Sequence, residues 1–279
     1  MNVDAQIHAA LARHWNIADA EVVPHHGGMN SQTWFVTAGA DRWVAKSVSP
    51  EQADDITAGL QVAAHLERTG APAATRDGRT VVTVAGRPLA LLTWVPGEPL
   101  TAADQSDIGE TLAQAHRTLQ NATIDGVVRT FHWVDPTAGH LSSRDWLRPA
   151  VAGAVRDLDT TALTQGLLHT DPAPEAFRTG GGLIDWSVAL RGPLLYDLAS
   201  AVMYVGGVDH AGELIESYLA VAPLPRAEAD RGLAPMLRFR WAVQADYFAR
   251  RIAVGDLTGI ADAAGNEKGL ADARRALRH

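Results

Sequence analysis

Two kinds of hydrophobic pattern divide the chain. Over the first 20 residues, apolar side chains recur at helical intervals, which predicts an amphipathic helix. Short apolar runs then alternate with Gly and Asp turns as far as residue 94, and one helical stretch at 53–69 stops at Gly70. The strands of this part are predicted at 21–24, 33–36, 42–46, 80–84 and 88–94.

A segment rich in proline and glycine, residues 95–99, ends this pattern and indicates a boundary. Beyond it, apolar residues recur every three or four positions, which favours helices. These helices are predicted at 103–120, 146–158, 196–205, 211–221, 226–255 and 261–278. The pattern therefore predicts an α+β protein. Its small β-rich N-terminal lobe is residues 1–95, and its larger, mainly helical C-terminal lobe is residues 96–279.

Composition excludes several kinds of function. The 279 residues include no cysteine, so disulfides, thiolate metal sites and a cysteine nucleophile are excluded. A formal charge of −8 argues against a nucleic-acid partner or an anionic membrane surface, because both need a positive field. The sequence has no signal peptide and no apolar run of about 18 residues. We therefore expect a cytoplasmic protein with a small neutral or cationic partner, and the oligomeric state is not predicted.

Lysine is rare in this sequence. Of the 24 basic residues, only Lys46 and Lys268 are lysines. Lys46 lies in an apolar strand that follows a glycine turn, where an ammonium either extends to solvent or pairs with phosphate. The scarcity of lysine makes the phosphate interpretation a serious alternative to the solvent-exposed one.

Two further patterns can carry chemistry. The glycine turn at 27–32 lies between predicted strands, and its backbone N–H groups can cradle phosphate oxygens or form an ordinary hairpin turn. Asp171 and Asp185 follow two short apolar runs that a glycine-rich hairpin can bring together. One of these carboxylates can accept a hydroxyl proton while the other binds Mg²⁺.

The order of these features resembles that of the aminoglycoside phosphotransferase and choline kinase group. The features are the glycine turn, the lysine on a strand, the segment rich in proline and glycine, and the paired aspartates. Leu167-Leu-His-Thr-Asp171 looks like the His-Gly-Asp motif of that group, and Leu183-Ile-Asp-Trp-Ser187 looks like its metal-binding segment. The resemblance implies a bilobal protein-kinase-like fold. It also implies an ATP-dependent phosphotransferase that phosphorylates a hydroxyl of a small molecule.

The resemblance also implies roles for individual residues. Asp171 would be the catalytic base, Asp185 would hold Mg²⁺, and Lys46 would pair with the α- and β-phosphates of ATP. The remaining nucleotide contacts are assigned to the glycine turn and to the backbone of the hinge: Gly28, Asn30, Ser31, Thr93 and Val95.

Two positions depart from the pattern of the group. Ala176 stands where the group has an asparagine that binds a second metal ion, and we expect the neighbouring Glu175 to replace part of that ligand set. Gly59 stands where a glutamate that pairs with the lysine is expected, and Asp55 is the nearest acid on the same helix face. The acidic partner of Lys46 therefore stays open.

Three functions are compatible with the sequence. The resemblance favours a kinase that confers antibiotic resistance by phosphorylating a cationic antibiotic of the aminoglycoside or cyclic-peptide type. A metabolic kinase for choline, an amino acid or a sugar is the first alternative. A nucleotide-binding pseudokinase, suggested by Ala176, is the second. Four acids are candidates to face a cationic acceptor: Asp197, Asp209, Glu213 and Asp246.

Overall fold

Five antiparallel strands form a sheet in the N-terminal part of the protein. The structure is a computed structural model, and it describes residues 3–25, 31–124, 131 and 134–278. The strands are β1 (Glu21–His25), β2 (Gln32–Ala38), β3 (Asp41–Ser47), β4 (Val82–Val84) and β5 (Arg87–Thr93). Their order in the sheet is β1-β2-β3-β5-β4, so β3 lies at the centre. In this register Lys46 of β3 lies opposite Thr33 of β2 and Ala90 of β5.

Two helices accompany this sheet, α1 (Val3–Ala10) and α2 (Ala53–Ala63). A π-helical turn at Leu11–Trp15 extends α1 until Asn16 adopts a left-handed conformation. The α2 helix ends six residues earlier than predicted. The Thr69 hydroxyl donates to the Ala63 carbonyl over 2.9 Å and so satisfies an acceptor at the helix end. The chain then turns at Arg68, which has φ +56°.

Six helices build most of the C-terminal part: α3 (Gln105–Leu119), α4 (Leu147–Arg156), α5 (Leu195–Tyr204), α6 (Gly212–Val221), α7 (Arg226–Val254) and α8 (Ala263–Leu277). The α3 helix packs on α6, while the 29-residue α7 packs on α4, α5 and α8. The predicted α+β class is confirmed, with the sheet first and the helices after it. None of the helices within the described residues has the length and apolar character to cross a membrane.

Four short strands hold the segments that contain the paired aspartates. They are β6 (Gln165–Leu168), β7 (Phe177–Arg178), β8 (Gly182–Leu183) and β9 (Leu190–Pro193). The β7–β8 hairpin lies between Asp171 and Asp185, whereas β6 pairs with β9. A hairpin therefore does separate the two aspartates, but the apolar run before Asp171 belongs to a different two-stranded sheet.

The two parts of the protein share apolar packing at one end of α2. Val62 and Ala63 of that helix are fully buried in the largest apolar cluster, which consists mainly of residues from the C-terminal part. Arg68 also donates to the carbonyls of Pro96 and Thr179, both over 3.2 Å. The end of α2 is therefore fixed both to the predicted boundary segment and to the C-terminal part beyond it.

Candidate active site

The Lys46 side chain extends from the centre of the sheet to the segment that follows β8. Its ammonium donates to the Asp185 carboxylate and, over 3.0 Å, to the Ser187 hydroxyl. Ser187 in turn donates to Asp185 Oδ1 over 2.8 Å. Lys46 is only 8% exposed, so it does not extend freely into solvent. These contacts identify the partner of Lys46 as Asp185. Ser187 is a second contact that sequence reasoning did not predict.

Asp185 is held in an unusual backbone conformation beside this lysine. Its φ is +71°, in the left-handed region that side chains other than glycine rarely adopt. Burial opposes ionisation, but the Lys46 ammonium, the Ser187 hydroxyl and His169 outweigh it and lower the pKa of Asp185 to about 2. Asp185 is therefore a carboxylate at neutral pH.

The helix α2 lies directly against the backbone that follows Asp185. A β-carbon placed on Gly59 would come within 2.1 Å of the Trp186 carbonyl oxygen and 3.0 Å of two Ser187 backbone atoms. This contact leaves no room for a side chain at position 59. The glutamate that the family pattern places there is thus excluded by packing, in agreement with the Lys46 contacts.

Asp171 follows β6 and is bound by two residues from distant helices. Its Oδ1 atom accepts hydrogen bonds from the Tyr204 hydroxyl and, over 3.1 Å, from the Arg240 guanidinium. The Arg240 side chain is 5% exposed, whereas that of Asp171 is 54% exposed. Sequence reasoning missed both partners, because they lie on α5 and α7 and belong to no recognised motif.

The loop that carries Asp171 is fixed by a buried carboxylate. Asp197 accepts hydrogen bonds from the backbone N–H groups of His169 (2.6 Å) and Thr170 (2.8 Å). It also accepts one from His116 Nε2 over 3.0 Å, and the Tyr218 hydroxyl donates to the other ring nitrogen over 2.7 Å. Asp197 is fully buried, so it holds the loop and does not face an acceptor.

The loops of the two aspartates are tied to each other. His169 donates from Nε2 to the Ile184 carbonyl over 2.7 Å, immediately before Asp185. The Thr170 hydroxyl donates to the Val188 carbonyl over 3.4 Å. The structure therefore connects the two segments that the sequence proposed as partners.

Glu175 lies on a 3₁₀ turn, Pro174–Ala176, and its side chain is exposed. Its carbonyl accepts from Arg178 over 2.6 Å, and its carboxylate interacts electrostatically with the same arginine. The Ala176 carbonyl accepts from the Ile184 N–H over 2.9 Å, while the Ala176 methyl is buried. No hydrogen bond or ion pair within the described residues joins Glu175 to Asp185.

The fit of a magnesium ion depends on Asp185. Its side chain is 54% exposed, it is ionised at neutral pH, and Lys46 and Ser187 bind only its Oδ1 atom. Oδ2 therefore remains as a hard oxygen ligand, which suits Mg²⁺ bound by one or two carboxylates together with phosphates. No group of three or more His, Asp or Glu side chains that could hold a metal occurs in the described part of the chain. The donors thus fit a metal shared with a nucleotide.

The predicted nucleotide contacts lie in three places. Gly28 and Asn30 fall outside the described residues, and Ser31 is half-buried just before β2. The Thr93 N–H already donates to the Ala71 carbonyl over 2.9 Å, so this N–H is not available to an adenine edge. Within the described residues, neither backbone polar group of Val95 has a hydrogen-bond partner.

Comparison with known sequences identifies both a family and individual relatives. Residues 21–231 match the sequence model of the phosphotransferase enzyme family. A homoserine kinase of Rhodopseudomonas palustris is 27% identical over 203 residues, a match that covers 63% of this chain and 62% of that kinase. The chain thus spans less than two thirds of the length of that relative.

Solved structures provide a second comparison. A microcompartment-associated aminopropanol kinase has a TM-score of 0.73 at 20% identity, covering 99% of this chain and 95% of its own. The GDP complex of aminoglycoside 2′-phosphotransferase-IIIa has a TM-score of 0.68 at 15% identity, with 100% and 99% covered. At such identities the similarity concerns the fold, and it confirms the kinase-like fold predicted from the sequence.

Proposed function

Because this chain belongs to the phosphotransferase enzyme family, we propose that it transfers the γ-phosphoryl group of ATP to a hydroxyl of a small molecule. The observation that carries the proposal is the pair of linked loops, one presenting Asp171 and the other presenting Asp185 beside Lys46. Phosphoryl transfer relies on positioning and charge neutralisation, and these groups can supply both.

Asp171 is the proposed base of this reaction. The acceptor hydroxyl gives its proton to Asp171 as its oxygen forms a bond to the γ-phosphorus. The bond between that phosphorus and the bridging oxygen breaks, and ADP leaves with the bonding electrons. Lys46 pairs with the α- and β-phosphates and holds the nucleotide. Mg²⁺ bound through Asp185 supplies neutralisation of the charge on the phosphate oxygens.

We propose a small hydroxylated amino acid or amino alcohol as the acceptor. Of the acids considered for a cationic antibiotic, Asp197 is bound to the loop, and Asp246 accepts a hydrogen bond from His140 over 2.6 Å. The charged group bound to Asp171 is instead the cation of Arg240. The relative from Rhodopseudomonas palustris is named for a hydroxylated amino acid, which supports this class. A cationic antibiotic stays a prediction, and an acceptor panel decides between them.

The test is acceptor-dependent ADP formation from ATP and Mg²⁺. The panel contains L-homoserine, 3-aminopropan-1-ol, choline and kanamycin, and ³¹P NMR identifies the phosphorylated product. Homoserine and 3-aminopropan-1-ol differ only by a carboxylate, so this matched pair shows whether that group contributes to binding. We expect turnover with at least one of the two, whereas turnover with kanamycin alone would contradict the acceptor class.

The pseudokinase alternative predicts a different result. ATP would then raise the melting temperature while no acceptor caused ADP formation. The thermal shift is therefore measured with ATP in the presence and absence of Mg²⁺, alongside the acceptor panel.

A further inference from the structure

Arg240 and Tyr204 converge on a single oxygen atom of Asp171. Both donate to Oδ1, and no hydrogen bond to Oδ2 occurs within the described residues. The two partners come from α7 and α5, 69 and 33 positions away along the chain. A carboxylate bound through one oxygen keeps the other oxygen free to accept a proton.

The guanidinium of Arg240 is fixed by groups other than Asp171. Its Nε–H donates to the Ser200 hydroxyl over 3.0 Å, and its Nη1 group donates to the side-chain oxygen Oε1 of Gln244 over 2.7 Å. These contacts bind it to α5 and to its own helix. Because the planar guanidinium has a fixed fork geometry, they also set the direction of the hydrogen bond that reaches Asp171.

The Tyr204 hydroxyl donates to Asp171 and accepts a hydrogen bond from the Arg240 guanidinium over 3.3 Å. Burial and the neighbouring Asp171 carboxylate raise the pKa of the Tyr204 hydroxyl well above its usual value. Burial alone would lower the pKa of Arg240, but Tyr196, Tyr204 and Asp171 raise it by more. Both partners therefore keep their protons at neutral pH.

The exposure of the two ion-pair members is unequal. The guanidinium is buried and held in place by Ser200 and Gln244, whereas the carboxylate is half-exposed. Ser200 and Gln244 are neutral, so the contact with Asp171 compensates the charge of the buried cation. The same contact orients the carboxylate.

We infer that Arg240 and Tyr204 are positioning residues that hold Asp171 through Oδ1 and present Oδ2 to the acceptor hydroxyl. This inference rests on the proposed function, because it assigns Asp171 to the proton of the acceptor. The set of three residues is called the Asp171 clamp below.

Kinetics of variants test the inference in the full chain. Tyr204→Phe should lower kcat by roughly 10-fold, and Arg240→Met by roughly 100-fold, with KM for ATP within about twofold of wild type. Arg240→Lys keeps the charge but loses the fork, so its kcat should lie between those of wild type and Arg240→Met. Arg238→Met removes an exposed arginine from the same helix and should leave kcat unchanged. Wild-type kcat in folded Tyr204→Phe and Arg240→Lys would overturn the inference.

A stability measurement tests the clamp independently of turnover. Tyr204→Phe should lower the melting temperature of the wild-type protein by more than that of the Asp171→Ala variant, since only the hydrogen bond from Arg240 remains to be lost there. Equal shifts in both backgrounds would overturn the contact itself. If the shift depends on Asp171 but the wild type phosphorylates no acceptor, the proposed function fails and the clamp stands. A shift that depends on Asp171, together with turnover, supports both.

Discussion

Replacing Gly59 by alanine tests how α2 fits against the segment that follows Asp185. Alanine in place of an interior helical glycine ordinarily stabilises a protein by about 1 kcal/mol. At this position the new methyl would lie 2.1 Å from the Trp186 carbonyl oxygen, a distance shorter than any real contact. The helix and the segment would have to separate by about 0.9 Å to restore a 3.0 Å contact.

This separation has an energetic and a functional consequence. Overpacking costs about 1–3 kcal/mol, so against the helical gain of about 1 kcal/mol the net effect should be a loss of up to about 2 kcal/mol in the free energy of unfolding. The same shift displaces Ser187 from Lys46 and should weaken ATP binding by about 10-fold. Chemical denaturation measures the first effect, and titration calorimetry with ATP measures the second.

Gly153 provides the matched control. It also lies inside a helix, α4, but a β-carbon there would meet only the ends of two arginine side chains, at 3.6 and 3.7 Å. Gly153→Ala should therefore raise the free energy of unfolding by up to about 1 kcal/mol and leave ATP binding unchanged. The packing argument would be refuted if Gly59→Ala stabilised the protein to the same extent and bound ATP normally.

Three further predictions concern the two loops. The pKa of Asp185 is lowered to about 2, so the stability that its contacts contribute is present above the ordinary pKa of 3.8 and is lost as the pH falls toward 2. Over this pH range the free energy of unfolding should decline less in Asp185→Asn than in wild type. An equal decline would count against the assignment. Thr170 has φ +78°, and its hydroxyl donates to the Val188 carbonyl. Thr170→Gly relieves the strain but loses that hydrogen bond, so the free energy of unfolding should change by less than about 1 kcal/mol. A loss of more than about 2 kcal/mol in denaturation would contradict this. Glu175→Ala should raise the Mg²⁺ concentration needed for half-maximal turnover. The control Glu98→Ala, which removes the other carboxylate near Arg178, should not raise it. An unchanged Mg²⁺ requirement in Glu175→Ala would show that Glu175 is not a ligand.

The elements of the fold were predictable because their signals are local. Alternating runs between turns located the strands, and helical spacing located α3 to α8. The end of α2 was predicted too late, since the hydroxyl of Thr69 satisfies the Ala63 carbonyl through a contact that apolar spacing does not encode.

The site was predictable only where a motif contains it. The linked loops of Asp171 and Asp185 follow from short sequence patterns. The partner of Lys46 could not be identified, because a lysine on β3 and Asp185, 139 positions later, meet only in the folded chain. Arg240 carried no signal for the same reason, as nothing in the local sequence of α7 distinguishes it from the other arginines of that helix.

Replacement of Asp171 by asparagine tests the central claim most directly. The measurement is acceptor-dependent ADP formation together with the affinity for ATP, in wild type and Asp171→Asn. Loss of the base should lower turnover by about 10²–10⁴-fold, while ATP affinity stays within about twofold because the nucleotide contacts are intact. Turnover close to wild type, or an equal loss of ATP binding, would contradict the assignment of Asp171 as the base.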